Sequence, residues 1–152
     1  MARFTLVGPG EGKDYAWESD HIFVKVPGTE TGGAFSMVED NLKAEFALGL
    51  HEHRTHSETF YILDGALKFY MDGAWMTAAK GATVHIPAGV PHAVKMAGGP
   101  GKSLMIFQPA FFEDYLATLV SLAPRQSADP VFQKNLAEKF DIFSLGGMPD
   151  EA

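Results

Sequence analysis

The sequence predicts a mainly β protein, a sandwich or barrel built from hairpins, followed by short C-terminal helices. Three observations predict it. Glycine and proline punctuate residues 1–109 densely, in stretches such as GPGEG, VPGTETGG, LDG, MDG, IPAGVP and AGGPG. Between them lie short apolar runs rich in Val, Ile, Phe, Tyr and Thr, the signature of short strands joined by turns. From residue 110 the texture changes, and apolar residues recur at helical spacing.

The strands are expected in order at HIFVKV (21–26), AFSMVE (34–39), TFYIL (59–63), ALKFYM (66–71), TVHIP (83–87), HAVKM (92–96) and SLMIFQ (103–108). MDGAW reads as a tight hairpin turn, with Gly73 able to take positive φ. Proline falls at the ends of runs, where a strand tolerates it. FFEDYLATLVSLA places Phe111, Leu116 and Leu119 or Val120 on one helical face, and Pro124 ends the run. SADPVFQKNLAEKFDIF offers Ser127 or Asp129 as N-cap and Pro130 as first helical residue. Val131 or Phe132, Leu136 and Phe140 then share a face. The last residues, LGGMPDEA, read as a frayed tail. One domain is expected over residues 1–152, with a β core at about 20–109 and a helical extension at about 110–145.

Bulk composition excludes several functions. The formal net charge is −7, and Lys and Arg nowhere form a run. A nucleic-acid partner is therefore not expected, because phosphate binding needs clustered cations. There is no cysteine, so disulfides, thiolate metal sites and cysteine nucleophiles are excluded. No stretch approaches the length of about twenty apolar residues that spans a bilayer, and MARFTLVGPGEG lacks the apolar core of a secretory signal. No membrane partner is expected, and a cytoplasmic location is.

Half of the six histidines crowd into HEHRTHSETF, residues 51–60. His51 and His53 stand at i and i+2, so on a strand they face one side. RTHS is a polar connection, after which Glu58, Phe60 and Ile62 share a face. If that face is interior, a carboxylate is buried beside two histidines, and a metal is one of the few partners that justifies the cost. A second cluster follows in GATVHIPAGVPHAVKM, residues 81–96. Its Pro-x-Gly turn delivers His92 to the start of a new apolar strand, where His92, Val94 and Met96 share a face. His56 sits in the connection and reads as a solvated loop residue. His85 alternates away from Val84 and Ile86 and reads as structural, and His21 carries no signal. Glu52 points opposite its histidine neighbours and should be solvated.

These two clusters resemble the two motifs of the cupin superfamily. The first matches at His51, His53, Glu58 and Gly65, and the second at Gly81, Pro87, Gly89 and His92. The flanks FVKVPGTETGGAFSMVE and DPVFQKNLAEKFDI are similar to small single-domain bacterial cupins resembling quercetin dioxygenase. The resemblance implies a double-stranded β-helix, a jelly-roll barrel. It implies one divalent metal ion, of Fe, Mn, Ni or Zn type, held by His51, His53, Glu58 and His92. Glu58 is also the expected catalytic residue. Two positions depart from the motifs: Glu45 stands where the first usually has Gly, and Met96 where the second usually has Asn.

Phe60, Ile62, Phe69, Val94 and Met96 are the expected walls of a substrate pocket, with Phe60 and Met96 nearest the metal. Leu67 shares their inward parity. Tyr61 and Tyr70 fall on the outer parity. The expected partner is a small, largely apolar molecule that binds the metal through oxygen. The function this implies is a dioxygenase-like oxidoreductase. The alternatives are an isomerase or lyase that uses the ion as a Lewis acid, or a binding module without catalysis. A homodimer is expected, paired through N-terminal strands with HIFVKV contributing.

Overall fold

The computed structural model describes residues 3–151. Its elements are β1 (Lys13–Ala16), β2 (Asp20–Val26), β3 (Ser36–Leu42), β4 (Ala47–Glu52), β5 (Ser57–Asp64), β6 (Ala66–Met71), β7 (Ala74–Ala79), β8 (Thr83–Ile86), β9 (His92–Met96), β10 (Gly101–Gln108), α1 (Phe112–Val120), α2 (Pro124–Ser127), α3 (Pro130–Lys139) and β11 (Phe143–Ser144). The strands form two antiparallel sheets. One runs β1-β2-β3-β10-β5-β8 and the other β11-β4-β9-β6-β7. Alternate residues of both sheets meet in one core that includes Ile22, Val38, Ile62, Leu67, Phe69, Ile86, Val94 and Phe107. Phe60 and Phe69 close the two sheets edge to face, with centroids 5.0 Å apart, a pairing worth about 0.5–1.5 kcal/mol beyond burial.

The hairpin at Asp72–Gly73 has positive φ at both central residues, 52° and 77°, the backbone that matches strand twist. Gly65 is required by space as well as by conformation. It has φ 69°, and a Cβ there would lie 2.6 Å from the Pro100 carbonyl oxygen. Glu45 is tolerated where the motif has glycine because the turn closed by Phe46 N–H on the Lys43 carbonyl does not place it at positive φ.

The helical extension begins as expected. In α1, Leu116 is buried and Leu119 packs on the core, whereas Val120 is exposed. Asp129 caps α3 by accepting from the Val131 and Phe132 amides. On α3 the inward residue is Leu136, while Val131 is 68% exposed.

Several expectations need correction. Pro124 does not only end α1; it opens the short α2, since proline suits a first helical position. The tail is docked and not frayed. Leu50 N–H donates to the Gly147 carbonyl, Leu145 N–H donates to the Leu50 carbonyl, and Glu151 pairs with Lys68 and Lys95 at 2.5 and 2.6 Å. HIFVKV cannot offer a free edge, because β2 is hydrogen-bonded to β1 on one side and β3 on the other. Glu52 is half-buried, paired across from Phe143 and bonded to Arg54 at 3.2 Å.

Candidate metal centre and cavity

Antiparallel pairing brings the two motifs together. His51 on β4 and His92 on β9 are direct cross-strand partners, and the register shifts between Leu48 and His51. Such a bulge re-aims the side chains beyond it. His53 lies just past the end of β4, in the connection to β5. Its carbonyl accepts the Gly89 amide at 2.6 Å, so the Pro-x-Gly turn of the second motif is tied directly to the first. Glu58 comes from the opposite sheet, where it faces Phe107 and Ile86 across the strands.

Each of the three imidazoles spends Nδ1 on a backbone carbonyl. His51 bonds to Gly49 at 2.8 Å, His53 to Asp141 at 2.9 Å and His92 to Val90 at 2.9 Å. A carbonyl can only accept, so Nδ1 carries the proton and Nε2 is left as the ligating atom. His53 Nε2 and His92 Nε2 are buried with no hydrogen-bond partner among the described residues. Ligand atoms of His51, His53 and His92 lie within 4.8 Å of one another. The Glu58 carboxylate lies 3.1 Å from His53 Nε2 and 3.3 Å from His92 Nε2.

The electrostatics suit a cation. Burial, then the neighbouring His92, holds His51 down to about 4, so it is neutral near pH 7. Burial raises the Glu58 carboxyl, but His53 and His92 outweigh it and hold it below the usual range. Burial lowers His53, but Glu58 and Asp141 overcome this and the net shift is upward. Three aimed Nε2 atoms, two of them unpartnered, and one ionised carboxylate fit a divalent first-row ion.

His56 is not a solvated loop residue. It is 2% exposed and packs against Phe111 with the rings tilted by 43° and centroids 3.9 Å apart. Its Nδ1 meets the Asp141 carboxylate at 2.7 Å. Sequence parity could not place it, because the loop is shaped by a residue far along the chain. His85 bonds Thr59 at the surface, and His21 pairs with Asp14.

A cavity of about 490 Å³ opens on the histidines, within the usual range for a small-molecule site. Phe60 and Val94 line it, but Ile62, Phe69 and Met96 do not. These three are core residues. Met96 points toward Gly101, where its Cε would meet an added Cβ at 2.8 Å. The cavity lies instead between the sheets and α1, walled by Trp17, Phe46, Leu48, Phe112, Leu116 and Leu119. Sequence reasoning also missed Asp20, Asp40 and Ser103 on its wall. The signal was available for Asp40, which shares parity with Val38 and Leu42.

The family described as Cupin domain matches residues 41–107, the span from β3 to β10 that carries every motif residue. Quercetin 2,3-dioxygenase of Bacillus subtilis (strain 168) is 29% identical over 59% of this chain. The chain spans only 26% of that protein's length. Among solved structures, an RmlC-like cupin from Shewanella frigidimarina superposes with TM-score 0.60 at 17% identity, over 75% of this chain and 99% of the other. DMSP lyase DddQ from Ruegeria pomeroyi superposes with TM-score 0.51 at 22% identity, over 60% of this chain and 47% of the other. The structural likenesses show a shared fold.

Proposed function

The chain belongs to the cupin superfamily, and on that premise we propose that it is a metal-dependent, dioxygenase-like oxidoreductase acting on a small, largely apolar, oxygen-chelating molecule. One observation carries this reading: three imidazoles, each fixed through Nδ1 by a backbone carbonyl, aim Nε2 beside Glu58 into an apolar cavity. In this reading His51, His53, Glu58 and His92 hold the ion. When bound, it supplies a Lewis-acid centre and, if redox-active, a place for dioxygen chemistry.

The chain's own residues do the rest. Glu58, kept ionised, is placed to take the proton that an enol or hydroxyl gives up on chelation. Phe60 and Val94 press on the ligand beside the histidines, and α1 covers it with Phe112 and Leu119. Those walls exclude water and reward a planar apolar body. A relative similar over 59% of this chain is a quercetin 2,3-dioxygenase, which supports the oxidative reading over a Lewis-acid isomerase or lyase.

An oxygen electrode separates the readings. Metal-loaded protein is given an aromatic enol or 1,3-diketone. Oxygen uptake matched to loss of the compound is the expected result. Loss without oxygen uptake assigns the isomerase or lyase reading, and tight retention without loss assigns a binding module. The proposal includes a homodimer, supported by the outer edges that β1 and β8 leave on the larger sheet. Light scattering should then return twice 16.5 kDa, and a monomer at micromolar concentration would refute it.

A further inference from the structure

The cavity runs far beyond the histidines. On the larger sheet its lining steps along one inward face from Glu58, opposite Phe107, past Met105 and Ser103 of β10 to Leu42, opposite Gly101. Six residues of strand separate Phe107 from Gly101, about 20 Å. Asp20 pairs with Leu42 at that end. Trp17 N–H donates to the Asp20 carbonyl at 2.8 Å, so the β1–β2 turn holds Trp17 beside the same row. Trp17 is half-buried, packs against the core and lines the cavity. It therefore stands at one end of the cavity and Glu58 at the other.

What lies between is nearly all carbon. Ile22, Phe60, Val94 and Met105 face the cavity from the sheets, and Leu116 and Leu119 face it from α1. The two buried carboxyls on this wall, Asp20 and Asp40, are 6% and 3% exposed, and Ser103 is 1% exposed. They offer a ligand almost no polar surface. Burial raises both carboxyls, which favours their neutral form. A single-ring chelator held at the histidines leaves the Trp17 end unfilled, and an apolar wall without a partner forfeits dispersion contacts. A body that left past the exposed Leu48 would stay in water, whereas one that runs inward is buried along its length.

We propose that the cavity is a length-selective channel, that its ligand carries an elongated apolar body behind the metal-chelating oxygens, and that Trp17 sets the limit of that body. This rests on the chelation reading above and adds the ligand's shape to it. Trp17 selects among apolar chelators by how far they reach.

The test uses nickel-loaded protein and linear 2,4-diones lengthened stepwise from pentane to pentadecane. Calorimetry should show affinity rising about three- to fourfold per added methylene, with the rise stopping at one chain length. Trp17→Ala should move that break to a longer chain. A second readout does not depend on that variant folding. The chain has two tryptophans, and Trp75 lies outside the cavity, bonded to the Asp150 carbonyl and covered by Lys95. Trp75→Phe therefore leaves Trp17 as the sole tryptophan. Its emission should hold constant with the short diones and shift to shorter wavelength with those near the break, as the chain displaces water from the indole. Affinity that does not rise with length or rises without a break, a break that stays in place in Trp17→Ala, or Trp17 emission that no dione shifts overturns the channel alone. Failure of every dione to bind nickel-loaded protein overturns the chelation reading and this inference with it.

Discussion

His53 and Asp141, 88 residues apart, are joined by a 2.9 Å hydrogen bond from the imidazole Nδ1 to the Asp141 carbonyl. The same residue's carboxylate accepts the Arg54, Thr55 and His56 amides at 2.8, 2.8 and 3.1 Å, and meets His56 Nδ1 at 2.7 Å. The C-terminal extension thus sets the shape of the loop that carries a candidate ligand.

Asp141→Ala should therefore weaken metal binding although it touches no metal. Outer-shell partners of ligating histidines are worth about 10–100-fold in affinity. Alanine also fits poorly at φ 62°, and the loop amides lose a charged acceptor worth about 1.5–3 kcal/mol. Asp141→Asn, which tolerates that φ, should lose less. Nickel titration of the three proteins checks the order. Equal affinities would mean that the loop holds its shape without Asp141.

His56 poses a separate question, since His53, His56 and Glu58 form a second group with ligand-competent atoms within 4.8 Å. We expect His51, His53 and His92 to define the site and His56 to pack. His56→Gln should retain one metal per chain and cost about 1–3 kcal/mol of stability for the buried contact it loses. Loss of the metal with the fold intact would show that His56 ligates.

What the sequence made legible follows from what is local. Strand parity set His51 and Glu58 facing inward, and Asp72–Gly73 announced its hairpin. The cross-strand meeting of His51 with His92 was reachable through motif spacing. The role of Asp141 was not, because its hydrogen bonds reach back 85 to 88 residues and an isolated aspartate in a loop has no pattern. Met96 failed for another reason. Parity correctly turned it inward, but parity does not say how far along the barrel a residue sits, and Met96 lies beyond the cavity. Asp40 was lost through a boundary: the strand was read as ending at Glu39, whereas β3 runs to Leu42.

That displacement of the pocket has a consequence for ligand binding. Met96→Leu should leave affinity for an aromatic diketone within about twofold, since volume-conserving core swaps are well tolerated. Phe60→Ala should weaken it about tenfold or more, as an aromatic wall is lost beside the chelating end. Paired titrations on metal-loaded protein decide this. A larger effect from Met96→Leu would move the ligand to the far side of the barrel.

The buried carboxyl pair should leave a mark on stability against pH. Asp40 is raised in the folded protein by burial and then by Asp20, and Asp20 is raised by burial. A raised carboxyl favours the folded state fully below its unfolded value, 3.8. That contribution is lost as pH rises through the folded value. Urea unfolding from pH 4 to pH 8 should show wild type losing stability relative to Asp40→Asn, which cannot ionise. Parallel profiles would mean that Asp40 is ionised in the fold.

The most direct test of the central claim is X-ray absorption at the metal edge of nickel-loaded protein, with metal content measured on the same sample. One ion per chain should appear, with three imidazole nitrogens and at least one carboxylate oxygen at about 2.0–2.2 Å. His92→Ala should lose an imidazole shell or the ion itself. Protein that binds no ion, or an ion whose spectrum contains no imidazole, would contradict the assignment of His51, His53, Glu58 and His92 as its ligands.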